Sequence, residues 1–242
     1  MSMAESVLGV IGGLGPLATA HFLELIDRMT DASAEQQKLD MIVYNFPSIP
    51  DRTGYILGSN LKSPLPGLLW AGRCLAQQGV ERIAIPCVTA HFFYEELTGA
   101  LPVPVIHGVR ETARYLKDRG IGAAGILATD GTIVSGLFAR ELSHMGIHPV
   151  IPSAPRQKDV MKLIYRDIKK GNPPDMEIFH AASEDLRKKG AEALILGCTE
   201  LSLIKKDYTL GPGYLDAMEV LARQSLLHCG KGIKPRYHNL IT

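Results

Sequence analysis

Cysteine is scarce in this chain: four in 242 residues, too few for a scaffold stapled by disulfides. No apolar run approaches the roughly 18–20 residues of a membrane span. An excess of one charge is missing too. Lysine and arginine total 26, aspartate and glutamate 25, for a net charge of +1, and the signs are well mixed. That balance offers neither a basic face for nucleic acid nor a polyanionic tail. The opening MSMAESVLGVIGG lacks the basic n-region of a signal peptide and runs straight into a strand-like segment. The expectation is a cytoplasmic protein with reduced thiols, and with no nucleic-acid or membrane partner. The length suits one or two α/β domains, with enough chain to bury a core.

What is present is alternation. Strand-like runs stand at 7–12, 40–46, 82–87, 103–107, 122–129, 149–153 and 193–198. Helical patterns lie between them. Phe179, Ala182 and Leu186 share one face of DMEIFHAASEDLRKKG, with Gly190 as its stop. Ile133, Leu137 and Leu142 make a similar stripe in TIVSGLFARELSHMG, stopped at Gly146. Apolar strands separated by amphipathic helices indicate parallel sheets covered on both faces.

A weak repeat underlies the alternation. GVIGGLGPLATAHF (9–22) and GILATDGTIVSGLF (125–138) share a layout of strand, small-residue turn and helix. From Gly15 to Cys87 is 72 residues, and from Gly131 to Cys198 is 67. Each half therefore pairs a glycine turn with a strand ending in cysteine, in IAIPCVTAHFF (83–93) and ALILGCTELSL (193–203). Ligands of open α/β sheets bind beyond the carboxyl ends of the strands. Two such halves facing each other put Cys87 and Cys198 on opposite walls of one cleft.

GGLGPLAT (12–19), PDRTGYILG (50–58), IPCVTAHFFYEEL (85–97) and LGCTELSLI (196–204) resemble, in order along nearly the whole chain, the aspartate/glutamate racemase family, and aspartate racemases most closely. The resemblance implies a cofactor-independent amino-acid racemase that forms a homodimer. Its two similar Rossmann-like domains would span 1–98 plus 210–242 and 99–209, with the active site in the cleft between them. A C-terminal helix at about 214–228 would return to the first domain. Cys87 and Cys198 would be the two acid/bases, one entering as thiolate and one as thiol. An ordinary thiol pKa of roughly 8.5 can be drawn toward neutrality at a helix N-terminus, and both cysteines precede helix-like segments. Thr89 and Thr199 would hold the α-carboxylate, and Leu14 would line the cleft through the backbone of its turn. Arg52 would meet a carboxylate with its guanidinium fork. Thr129 ends the matching strand of the second domain. Lys169, or its neighbour Lys170, would face a side-chain carboxylate, and Glu200 would tune Cys198. Val88 is a departure, since the family usually has asparagine after the first cysteine.

Plainer readings stand beside these. A buried cysteine is often only a small apolar residue, the expectation for Cys74 and Cys229. Arg52 suits a structural clamp, Lys169 the C-terminal end of a helix, and the threonines suit helix caps. His91 and His107 read as satisfied polar residues, and no spacing suggests a metal site. A dinucleotide enzyme fits the loose Gly13-x-Gly15-x-x-Ala18 pattern, but the next strand ends in Tyr44–Asn45–Phe46, without an acid for a ribose. A non-catalytic binding protein has no need of paired thiols. Related two-cysteine enzymes acting on maleate, hydantoins or arylmalonates remain the nearer alternative. No lysine sits in a recognisable pyridoxal-phosphate motif.

Overall fold

The computed structural model describes residues 6–242. Each half of the chain builds one parallel sheet. In the first, β1 (Leu8–Gly12) lies between β2 (Met41–Asn45) and β3 (Arg82–Ala84). In the second, β4 (Ala123–Leu127) lies between β5 (His148–Val150) and β6 (Ala193–Leu196), and β7 (Tyr214–Asp216) extends the far edge. The order 2-1-3 thus recurs as 5-4-6, so the weak sequence repeat is a repeat of topology. Helix α1 (Pro16–Met29) follows β1, and α2 (Arg52–Ile56) and α3 (Leu65–Gln77) join β2 to β3. Helices α4 (Tyr94–Ala100) and α5 (Gly108–Asp118) lead into the second half. There α6 (Asp130–Val134) and α7 (Leu137–His144) follow β4, α8 (Ala154–Met161) and α9 (Met176–Lys188) join β5 to β6, and α10 (Thr199–Asp207) precedes β7. Helix α11 (Ala217–His228) returns to α1 and α5. Among the described residues no helix is long and apolar enough to cross a membrane.

Local chemistry explains most elements. The central strands β1 and β6 are buried along their whole length, as continuous apolar runs in parallel sheets should be. Pro16 opens α1, where its fixed φ and missing N–H are harmless. Asp175 caps α9 by accepting from the Ile178 amide, and Phe179, Ala182 and Leu186 form its buried face.

Three expectations need correction. Residues 103–107 touch β3 only through the bridge between Val105 and Ile83, because Pro102 and Pro104 remove two of the donors a ladder needs. The stripe at 132–146 is two helices, not one: Gly136 takes φ +67° and breaks it. Residues 214–216 form a strand, not the start of the last helix, and they pair with β6. β7 thus extends the second sheet, and α11 begins only at Ala217, capped by Asp216.

The largest apolar cluster joins the halves. It runs from Leu8, Val10 and Phe22 through Val109 and Leu116 to Ala124, Ile126, Met218 and Leu221. Two further clusters cover the outer faces of the sheets. The matched turn glycines mark where the halves press together. A Cβ on Gly15 would lie 3.3 Å from Glu200 Oε1, and one on Gly131 only 2.9 Å from the Thr53 backbone. Each glycine thus admits a segment of the opposite half.

Under α10 lies a buried acid pair. Asp216 Oδ1 accepts from Ser202 Oγ at 2.7 Å and from the Met218 amide at 2.9 Å, while its Oδ2 has no partner among the described residues. Lys205 Nζ donates to Glu219 Oε2 at 2.7 Å and to the Leu240 carbonyl. Burial, then the charge of Asp216, push Glu219 up from 4.5 to about 7 against the pull of Lys205. The folded state therefore binds more protons than the unfolded chain between those values, and stability from this group is lost as pH rises through that window. In Glu219→Gln this contribution disappears. Urea unfolding at pH 5 and pH 8 should show wild type losing on the order of 1–3 kcal/mol more than the variant across the interval. Equal losses would remove the pair as a source of pH dependence.

Candidate active site

All ten residues singled out in the sequence meet around one chamber. Leu14, Arg52, Cys87, Val88, Thr89, Thr129, Lys169, Cys198, Thr199 and Glu200 line it, joined by Asp51, Thr53 and Tyr165. The chamber lies beyond the carboxyl ends of both sheets. Cys87 follows β3 and caps a short 3₁₀ stretch, Val88–Phe93. Cys198 follows β6 and caps α10. Each cysteine is 6% exposed, and neither is in a disulfide. The inner cavity measures about 10 Å³, room for one water at most. Leu14, Asp51, Arg52, Lys169 and Glu200 also line an outer vestibule of about 420 Å³, whose remaining walls include Pro16, Leu17, Ile49, Ile168 and Leu203.

The two sulfurs have opposite neighbours. Arg52 Nη2 donates to the Leu14 carbonyl at 2.8 Å and to Cys87 Sγ at 3.7 Å, and Nη1 reaches the Pro50 carbonyl at 3.2 Å. Burial opposes the guanidinium charge, but Cys87 and Asp51 outweigh it and raise the Arg52 pKa. Cys198 Sγ donates to Glu200 Oε2 at 2.9 Å, and the Thr199 hydroxyl donates to the same oxygen at 3.0 Å. Burial first, then the Glu200 carboxylate, push the Cys198 thiol well above its ordinary value, with Lys169 opposing. This reverses the expectation that a helix N-terminus draws Cys198 toward neutrality. Desolvation and an acid two residues away overcome a partial charge at the helix end.

Lys169 rather than Lys170 faces the chamber. Its ammonium lies 3.9 Å from the Tyr165 ring centre and 3.8 Å from Asp51 Oδ2. Burial alone would lower its pKa; Glu200, Cys198, Tyr165 and Asp51 raise it instead. Tyr165 sits in a widened π turn, Lys162–Asp167, a distortion that often marks a functional position. Its hydroxyl donates to Asp51 at 3.3 Å, joining the halves across the cleft.

Thr89, Thr129 and the unexpected Thr132 bring three hydroxyls within 3.0–3.2 Å of one another. His91 accepts from the Gly108 amide at Nε2 (3.0 Å), so Nδ1–H donates to the Cys87 carbonyl at 3.1 Å. Burial lowers its pKa, and the neutral ring fixes the Cys87 turn. His107 likewise caps α5. Val88 borders both the chamber and a second small void behind the cysteines, beside Met218 and Leu221. Among the described residues no group of three or more His, Cys, Asp or Glu is arranged to hold a metal ion.

The sequence analysis missed Asp51, Thr53, Thr132 and Tyr165. Asp51 carried a signal: it precedes Arg52 and caps α2 by accepting from the Gly54 amide. Thr132 stands three residues after Thr129, where a cap meets its amide. Tyr165 lies in an irregular turn with no readable period.

Comparison with known proteins agrees with this geometry. The broad specificity amino-acid racemase RacX of Bacillus subtilis is 26% identical over 226 residues, 91% of this chain and 96% of that protein. Picrophilus torridus aspartate racemase superposes with a TM-score of 0.83 at 30% identity, covering 96% of this chain and 98% of the other. Glutamate racemase from Francisella tularensis, solved with D-glutamate, shares the fold at a TM-score of 0.62 and 18% identity, over 93% of this chain and 82% of its own. Residues 11–225 match the Asp/Glu/hydantoin racemase family, and the chain belongs to it.

Proposed function

We propose that this racemase moves the α-proton of an amino acid between Cys87 and Cys198. The observation that carries the reading is the charge asymmetry at the two sulfurs, with a guanidinium beside Cys87 and a carboxylate beside Cys198. Cys87 enters as thiolate, Cys198 as thiol. The Cys87 sulfur takes the α-proton from one face of the substrate, and Cys198 delivers its own proton to the other face. The enzyme leaves the turnover with the proton on Cys87 and the charge on Cys198, ready for the opposite enantiomer or for reset by solvent. Catalysis rests on these groups alone, with no cofactor in the cycle. Thr89, Thr129 and Thr199 hold the α-carboxylate equally before and during proton loss, and so fix the substrate between the two sulfurs. Lys169 and Arg52 add positive charge near the carbanion. The closed chamber must widen by relative movement of the halves to admit substrate.

The substrate side chain then extends toward the vestibule, away from the threonines. That space is large and mainly apolar, and Asp51 and Glu200 balance its two cations. Val88 puts methyl groups where an amide would anchor polar groups. Both features support a side chain less polar or larger than that of aspartate. The homodimer implied by the resemblance and the cytoplasmic location expected from the sequence belong to the same proposal; sedimentation equilibrium tests the first.

The test is α-proton exchange in heavy water, followed by NMR, over a panel of L-amino acids without added cofactor. Loss of the α-proton signal with appearance of the D-enantiomer is expected. An absence of exchange across the panel sinks the reading. On the same panel Val88→Asn should raise kcat/KM for aspartate relative to apolar amino acids by about 10-fold or more, the range of one hydrogen bond to a charged group. If wild type already favours aspartate and the variant changes nothing, position 88 does not set the choice.

A further inference from the structure

We propose that Thr132 is a positioning residue that aims two other hydroxyls at the substrate carboxylate; the inference rests on the racemase reading above. Thr132 is 1% exposed and does not line the chamber, whereas Thr89 and Thr129 do. Its Oγ1 lies 3.0 Å from Thr89 Oγ1 and 3.2 Å from Thr129 Oγ1, and those two are 3.1 Å apart. Its backbone amide donates to Thr129 Oγ1 at 3.3 Å.

A proton count gives the role. Each hydroxyl has one donor and two acceptor sites. In the empty chamber the three hydroxyls satisfy one another in a ring. A carboxylate accepts only, so Thr89 and Thr129 must both turn their O–H groups outward to bind it. Each then loses its bond within the ring and needs a donor of its own to stay satisfied in a buried place. Thr132 supplies both donors. Its amide already reaches Thr129, and its hydroxyl is within reach of Thr89. Thr132 thus fixes the direction of two donors without touching the substrate, and Thr129, as the cap of α6, keeps the amide in place.

The test compares Thr132→Val, which keeps shape and amide but loses the hydroxyl, with Thr132→Ser, which restores it. Thr132→Val should raise KM for the best substrate about 10-fold while kcat changes less than about 3-fold, and Thr132→Ser should return KM to near the wild-type value. Thr132→Val made on top of Thr89→Val should add no further rise, because the lost donor served Thr89. Calorimetry with an α-methyl amino acid, which carries the carboxylate but no α-proton, should give the same ratios in Kd. If Thr132→Val is poorly folded, the Thr132→Ser and Thr132→Ala pair decides by the same ratio. An unchanged KM in a folded hydroxyl-less variant, an equal fall in kcat, or a full effect in the Thr89→Val background overturns the proposal. Absence of exchange by the wild-type protein overturns the racemase reading itself, a result distinct from any of these.

Discussion

Cys87→Ser and Cys198→Ser should each lower racemisation by about 10³-fold or more, within the range a positioned acid/base supplies. A serine hydroxyl is far less acidic than a thiol and cannot stand as an anion beside Arg52 or donate as readily as Cys198 does. The loss must be equal in both directions: L and D forms have equal free energy, so kcat/KM for the two enantiomers is tied to a ratio of one in every variant. Asymmetry therefore has to be sought in exchange rather than in racemisation. In Cys198→Ser the remaining Cys87 still removes a proton from the face it meets and returns a solvent deuteron to that same face. Wash-in without inversion should survive for one enantiomer only, and for the other enantiomer in Cys87→Ser. Far-UV circular dichroism checks that the fold is kept. If either variant keeps a tenth of wild-type racemisation, or both wash deuterium into the same enantiomer, two-base transfer is wrong.

The parts of this site that were legible in the sequence are those fixed by strand ends. A parallel strand delivers its last residues to one edge of the sheet, so Cys87 and Cys198 could be placed from apolar runs and matched spacing, and the glycine turns from their small residues, whereas Arg52, Thr129 and Lys169 were reached through the family resemblance. Tyr165, which reaches the chamber from an irregular turn, was not legible, and neither was the choice between two neighbouring lysines. Lys169 and Lys170 are adjacent in the chain, and only the π turn at Lys162–Asp167 followed by the short 3₁₀ turn decides which of them points inward. β7 was missed because a three-residue strand leaves no period to detect, and its place is set by pairing with β6. The sign of the Cys198 shift was also out of reach. Helix polarity is readable from sequence, but the desolvation that outweighs it depends on burial, and the contact with Glu200 on a rotamer.

Glu200→Gln should lower kcat/KM about 10- to 100-fold at neutral pH and move the alkaline limb of its pH profile to lower pH. The carboxylate accepts from both Cys198 and Thr199 through one oxygen. A glutamine carbonyl can keep that geometry without the charge, so the rate loss should stay near the ~1.5–3 kcal/mol of a hydrogen bond to a charged group. The pH shift has a defined sign. The competent enzyme holds one proton on the pair of thiols, and activity falls at high pH when that proton is lost. Burial, with the Glu200 charge next, makes that loss harder; removing the charge makes it easier. Because the limb reports the pair and not one sulfur, it should shift identically for L and D substrates. Lys169 loses a nearby anion in the same variant, so Lys169→Met serves as the control: it removes a cation, disfavours the thiolate, and should move the limb the opposite way. Limbs that stay fixed in Glu200→Gln, or move in the same direction in both variants, would separate the ionisation of Cys198 from the charges around it.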